Sequence, residues 1–139
     1  MDAFVQPLYE LADFDAIIRQ LKKPGIVQVS GCLDSQKAHF TNGLLREFPF
    51  RLIVAENDLK AKAFYEDFRL YDPEVLYYPA RDLIFYQADI HGNLLTRQRI
   101  QVLRALLERE EVTIVTSIDS CLDCLVPLAV WKEKYKDSQ

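Results

Sequence analysis

No stretch of this 139-residue chain approaches the ~20 consecutive apolar residues that carry a helix across a bilayer. The start, Met1-Asp2-Ala3-Phe4, has neither a basic n-region nor an apolar h-region, so no secretory leader is read and a cytoplasmic location is expected. A basic surplus is also missing. Seventeen Lys and Arg stand against 21 Asp and Glu, a net charge of -4, which disfavours nucleic-acid binding by bulk charge. Cysteine is sparse and odd in number: Cys32, Cys121 and Cys124. Without an export signal they are expected as free thiols. Cys121-Leu122-Asp123-Cys124 is formally a C-x-x-C, but no second pair completes a zinc site, so buried or half-buried structural thiols are the expectation. His39 and His91 lie outside any H-x-x-x-H or H-E-x-x-H setting, and Ser30, Ser35, Ser117 and Ser120 lack a G-x-S-x-G elbow. No catalytic residue and no metal ligand is therefore assigned.

Half of the residues are hydrophobic and 27% are charged, enough at this length for one domain with a real core. The apolar pattern alternates between helical and strand spacing. Leu8, Leu11, Phe14, Ile17, Ile18 and Leu21 recur at helical spacing until Pro24-Gly25. Strands are predicted at Ile26–Ser30, Arg51–Ala55, Val75–Tyr78 and Val112–Thr116. Between them Asp58 is a plausible N-cap for a helix burying Leu59, Ala63, Phe64 and Phe68. A further helix carries Ile100, Leu103, Leu106 and Leu107 inward and Arg97, Arg99, Arg104 and Glu108 outward. Continuous apolar strands separated by helices predict an α/β fold, a three-layer α/β/α arrangement around a mainly parallel sheet. Neither an internal repeat nor a low-complexity segment is visible.

Gly31-Cys32-Leu33-Asp34-Ser35-Gln36-Lys37-Ala38 has the spacing of a phosphate-binding loop, G-x-x-x-x-G-K-[ST], with two working positions replaced. In a working loop the second glycine lets backbone N–H groups wrap the phosphates and the final hydroxyl holds Mg²⁺. Gln36 and Ala38 stand at those positions. The setting still reads as strand, loop and helix, because the Ile26–Ser30 run precedes it and Phe40, Leu44, Leu45 and Phe48 follow on one helical face. The expectation is a degenerate nucleotide site at Gly31, Gln36, Lys37 and Ala38, with no intact cofactor site.

Other candidates are thinner. Glu56 and Asp119 follow strands and could be offered to a metal, but a carboxylate there is usually a cap or a solvated loop residue. The aromatic run from Tyr77 to Tyr86, with Arg81 among its rings, could stack on bases, though rings at a sheet end usually cover the core. Arg97, Arg99 and Arg104 make a modest basic helix face, solvated or docked on another domain. Arg81, Phe85, Tyr86, Arg97 and Arg99 are accordingly the candidates for interdomain contact.

Three blocks, "YYPARDLIFYQADIHGNLLTRQRIQVLRALLE", "EVTIVTSIDSCLDCLVP" and "RLIVAENDLKAKAFYEDF", resemble the N-terminal module of bacterial transcription-repair coupling factors. They are similar also to the first domain of the excision nuclease B subunit, which has an intact P-loop where Gly31 to Ala38 stand here. Pro79 to Asn93 is too short to hold that subunit's damage-probing hairpin. The resemblance implies a degenerate P-loop, RecA-like remnant over residues 1–127, with 128–139 a tail or the start of a linker in a longer protein. It implies a non-catalytic scaffold within an ATP-dependent double-stranded DNA translocase that releases stalled RNA polymerase and recruits excision repair. This domain would need no cofactor, ATP and Mg²⁺ belonging to the parent's motor domains. Implied partners are the parent's other domains and, for the parent, RNA polymerase, double-stranded DNA and the excision nuclease A subunit, whose binding domain would begin where this chain stops. The alternatives are an independent P-loop nucleotide binder or small kinase, and a stand-alone protein-interaction module.

Overall fold

The computed structural model describes residues 5–80 and 90–122, with residues 90–93 and 95 described by their backbone alone. A 3-10 turn, Gln6–Glu10, leads into α1 (Phe14–Leu21) and, after an irregular stretch, α2 (Asp34–Leu45). The order then runs β1 (Phe50–Ala55), α3 (Asp58–Phe68), β2 (Leu76–Tyr78), α4 (Ile90–Glu108), β3 (Val112–Ser117) and α5 (Ile118–Leu122).

The three strands form an open sheet in the order β1-β3-β2, parallel throughout. Leu52 lies opposite Ile114 and Ala55 opposite Ser117, while Leu76 lies on the other side of Ile114. Alternation along each strand then sorts the side chains between two faces. On one face Val115, Tyr77, Ile53 and Ala55 pack against Ala61 and Phe68 of α3, with Ala38 of α2 beside them. On the other, Val112, Ile114, Leu76 and Tyr78 meet Val102 and Ala105 of α4. Helices on both faces of a small parallel sheet fit the α/β expectation, and the alternation of α3 and α4 between faces is what right-handed crossovers demand. A third cluster, Val5, Leu8, Phe14, Ile18 and Leu44, fastens the N-terminal helices to α2. Gly43 is part of that contact, since a Cβ there would run into Leu8 Cδ1.

Several expectations change, among them the inward placement of Ala63, Ile100 and Leu106, which are exposed. Ile26–Ser30 forms no strand: Ile26 is 99% exposed, and the segment has no ladder partner among the described residues. Alternating Val and Ile supply strand propensity, but a strand needs a neighbour's hydrogen bonds and a buried face, and this run has neither. The N-terminal periodic run is two short pieces, with Leu11 exposed between them. The N-cap of α3 is Asn57, whose side chain accepts from the Lys60 amide at 2.9 Å. Asp58 becomes the first helical residue, so Ala61 and Phe68 turn inward while Leu59 is exposed. Arg99 also belongs inside, for a reason given below.

Candidate functional site

In parallel α/β sheets ligands gather beyond the carboxyl ends of the strands, where helix N-termini point. That edge here is formed by the starts of α2 and α3, the end of β2 and the turn from β3 into α5. It contains every described residue of the phosphate-loop pattern.

Gly31 holds φ +86°, a left-handed conformation that suits glycine. It precedes a helix start at Asp34, but the preceding segment is not part of the sheet, so the loop is not suspended between a fixed strand and a helix. Gln36 turns back on the helix start, its Oε1 accepting from the Leu33 amide at 3.5 Å. Lys37 is committed along its own helix to Asp34, 2.5 Å away, instead of projecting over the loop. The lysine holds the Asp34 carboxyl below the usual carboxylate range, first by its hydrogen bond and then by its charge. Ala38 is 3% exposed, within the core cluster of Ala61, Phe68 and Val115. Where a working loop offers a hydroxyl to Mg²⁺, this chain uses the position to join α2 to the sheet.

The neighbouring helix repeats the charge pattern. Lys60 pairs with Glu56 one turn back, and this hydrogen bond and charge lower the Glu56 pKa and raise that of Lys60. Lys60 also acts on Asp34, so the two pairs are neighbours. Asp34 and Asp58 occupy the first turns of α2 and α3, where each complements its own helix dipole. Two lysines are thus matched by nearby carboxylates, and little positive potential is left for an added phosphate. Glu56, one of the two carboxylates considered for metal, is an ion-pair partner, and Asp119 lies exposed in the first turn of α5. Among the described residues no group of three or more His, Cys, Asp or Glu is placed to hold a metal ion.

Deeper in, the edge is fixed by the Asp58 carboxylate, a serine pair and one buried cation. Asp58 Oδ1 accepts from the Ala80 amide at 3.3 Å. Burial first, and the adjacent Asp58 carboxylate second, push the Tyr77 phenol well above its ordinary pKa. Ser117 and Ser120 share a 2.9 Å hydroxyl contact, and Ser117 Oγ accepts from the Ser120 amide at 3.3 Å. Both serines are fully buried, occupied in starting α5. Arg99, expected on the outer face of α4, is 8% exposed. Its Nη1 donates to the Pro79 carbonyl at 3.1 Å, and its guanidinium lies over the Tyr78 ring, 4.4 Å from the centroid. A planar cation tolerates this setting because its face meets the ring while its edge meets a carbonyl left by Pro79 at the end of β2. Sequence periodicity missed it because Arg is ordinarily an outside residue; the nearby Tyr-Tyr-Pro was the available signal. Arg97 is exposed, and Arg104 is held by Glu108 at 4.0 Å.

His39 stacks on Tyr71, with centroids 5.3 Å apart, and is half-buried. Cys32 is half-buried as expected, whereas Cys121, on the short α5, is exposed against the expectation of a buried thiol; both are free thiols. Arg81, Phe85, Tyr86, Cys124, the side chain of His91 and residues 128–139 lie outside the described residues.

At the opposite, amino edge of the sheet a cavity of about 570 Å³ is lined by Arg51, Asp72, Glu74, Arg109, Glu110, Glu111 and Thr113. Its groups largely answer one another: Arg109 meets Glu74 at 3.2 Å, Arg51 meets Glu111 at 3.4 Å, and Thr113 donates to Asp72 at 2.7 Å. No helix of the described residues is long and apolar enough to cross a membrane. No family model, curated protein or solved structure matches the chain.

Proposed function

We propose that the chain is a non-catalytic scaffold domain, a degenerate P-loop unit that serves as the first module of a transcription-repair coupling factor. In that role it supports the parent's other domains in the cytoplasm, and hydrolysis of ATP, movement on double-stranded DNA, displacement of RNA polymerase and recruitment of the excision nuclease A subunit are tasks of the parent. One observation carries the non-catalytic part. Ala38 is buried against the sheet and Lys37 is tied to Asp34, so the two positions that would meet Mg²⁺ and phosphate serve packing and helix pairing. The coupling-factor part is supported by the aromatic and strand blocks of the sequence.

Calorimetry of the chain with ATP and Mg²⁺ tests the first part. No heat of binding is expected in the micromolar range. A micromolar dissociation constant abolished by Lys37→Ala would return the nucleotide-binding reading in its place. For the second part, removing this domain from a full-length coupling factor should leave ATP hydrolysis in place while altering its coupling to the repair partners; loss of hydrolysis itself would count against a scaffold.

A further inference from the structure

Two contacts fix where the irregular stretch between α1 and α2 begins and ends. Lys22 pairs with Glu47, just past the end of α2, and two residues later the Pro49 carbonyl accepts from the Val112 amide where β1 begins. The stretch therefore starts at the amino edge of the sheet. It ends at Asp34, whose neighbour Lys60 lies in the first turn of α3, beyond the carboxyl end of β1. Residues 23–33 thus run alongside α2 in the direction of β1, over about 18 Å of helix that roughly six extended residues would span.

The side is fixed as well. Tyr65 of α3 and Arg69 at its end face the outer edge of β2, where they line a cavity with Val75, Leu76 and Tyr77. Lys60, roughly half a turn around α3 from Tyr65, acts on Asp34 of α2, and Tyr71 beyond the helix stacks on His39. α2 accordingly lies on the β1 side of α3. On this face α3 carries the chain from β1 toward β2, so a crossover of the same hand through α2 starts from outside β1. That edge has no partner among the described residues. Because the Val112 amide donates to Pro49, the ladder to β3 takes the amides of Arg51, Ile53 and Ala55, and alternation turns those of Phe50, Leu52 and Val54 outward. An edge with unpaired backbone groups and three exposed apolar side chains is a template for pairing with another chain.

We propose that residues 26–30 are a strap that closes on this edge as a further parallel strand and guards it against association between copies. In the structure the strap is open, with Val27 half-buried and the others exposed. Counting back equally from the two helix starts, Asp34 and Asp58, sets Gln28 beside Leu52 and Val29 beside Ile53. Val27 and Val29 then share the face that α2 and α3 cover, and Ile26, Gln28 and Ser30 take the other. In that register the Val29 amide donates to the Leu52 carbonyl and the Leu52 amide to the Val27 carbonyl. Gly31, at φ +86°, stands next to the strap as its hinge.

Disulfide trapping captures the closed form in the full chain. With Cys32, Cys121 and Cys124 replaced by Ser, the pair Gln28→Cys and Leu52→Cys should oxidise on the order of tenfold faster than Gln28→Cys with Leu94→Cys, an exposed site of α4 on the opposite face, because closure raises the effective concentration of one thiol at the other. Val29→Pro, which removes the donor to the Leu52 carbonyl, should bring the first pair down to the rate of the second. In the otherwise unsubstituted chain the same proline should increase concentration-dependent association in sedimentation. Equal rates for the two pairs would overturn the proposal, as would a fast pair indifferent to Val29→Pro or an association that the proline leaves unchanged. If the thiol-free chain fails to fold, amide relaxation dispersion of the unsubstituted protein decides: exchange shared by Val29 and Leu52, and lost at Leu52 in Val29→Pro, is expected, and flat profiles at both overturn the strap.

Discussion

Residues 26–45 and 50–68 are two versions of one pattern, an apolar run, a short turn and a helix, and only the second becomes a strand and helix of the sheet. Phe50–Ala55 is paired with β3 along its full length, and Ile53 and Ala55 are drawn into the core. Ile26–Ser30 has comparable β-branched content and stays unpaired. The helices differ in the same sense. A side-chain cap from Asn57 starts α3, whereas the residue before α2 is Leu33, which offers no side-chain acceptor and leaves Gln36 to reach back. Propensity is common to both segments. What separates them is a strand neighbour, β3, that satisfies one edge of β1 while α3 covers one of its faces. A phosphate loop depends on that same neighbour, because backbone amides aim at a ligand only when strand and helix are both fixed.

The largest effect that would sharpen this contrast is at Phe68, fully buried at the end of α3. Phe68→Ala should cost about 3–5 kcal/mol, measured by urea unfolding, because its ring fills the space among Ala61, Val75, Tyr77 and Val115. In a domain with a few kcal/mol in hand that loss threatens folding at 37 °C. A cost below that of an ordinary surface change would mean that α3 is held mainly by something other than this cluster.

The cap comes next. Asn57→Ala removes the acceptor that meets the Lys60 amide at 2.9 Å and should cost about 1 kcal/mol. Asp58→Ala removes a different contact, the one to the Ala80 amide, so the two variants tested together separate capping of α3 from anchoring of the β2 exit.

Much of the layout was legible in the sequence, for identifiable reasons. β3 announced itself because a largely apolar, β-branched run of that length fits a strand covered on both faces, as it is; β1 was found by the same reasoning although only one of its faces is covered, and α3 because its turn chemistry and buried Phe68 agree. The failures came where local pattern and tertiary setting part. Ile26–Ser30 reads as a strand on its own residues, and nothing local says that β1 would not take it as a partner. Arg99 reads as outside, and only the Pro79 carbonyl and Tyr78 ring beside it make burial tolerable. At the candidate site the replacements Gln36 and Ala38 were plain from spacing. That Ala38 would be a core residue and that Lys37 would fold back on Asp34 required the helix to be placed.

A smaller effect is expected at Val29, in the unpaired segment and 42% exposed. Val29→Ala should change stability by no more than about 0.5 kcal/mol, as for surface substitutions generally, whereas Ile53→Ala in β1 should cost several times more. Equal costs at the two sites would erase the distinction between the segments, and hydrogen-exchange protection of the Val29 amide matching that of Ile53 would point the same way.

The smallest effect lies in the charge pairs that both helix starts carry, and its sign follows from the direction of the shifts. Asp34 and Glu56 are each held below the ordinary carboxylate range, by hydrogen bond and charge from Lys37 and Lys60 respectively. A carboxyl with a depressed pKa in the folded chain stabilises it above the unfolded pKa, and that contribution is lost as pH falls through the folded pKa. Lys60 is shifted upward, so its contribution is complete below the unfolded lysine pKa and disappears only as pH rises through the folded one. Between these limits, across neutral pH, stability should be flat with respect to all three groups. The acid limb should be shallow, since the pairs are exposed and solvent screens them. Raising the salt to about 1 M, where the screening length is ~3 Å, should flatten it further. Carboxyl titration followed by NMR would resolve the pairs individually: Lys37→Ala should return Asp34 toward its ordinary range and leave Glu56 low, and Lys60→Ala should release Glu56 fully and Asp34 in small part, because Lys60 also acts on Asp34. An Asp34 midpoint indifferent to Lys37 would break the pairing that keeps this lysine from the loop, and with it the physical reason for expecting no phosphate there.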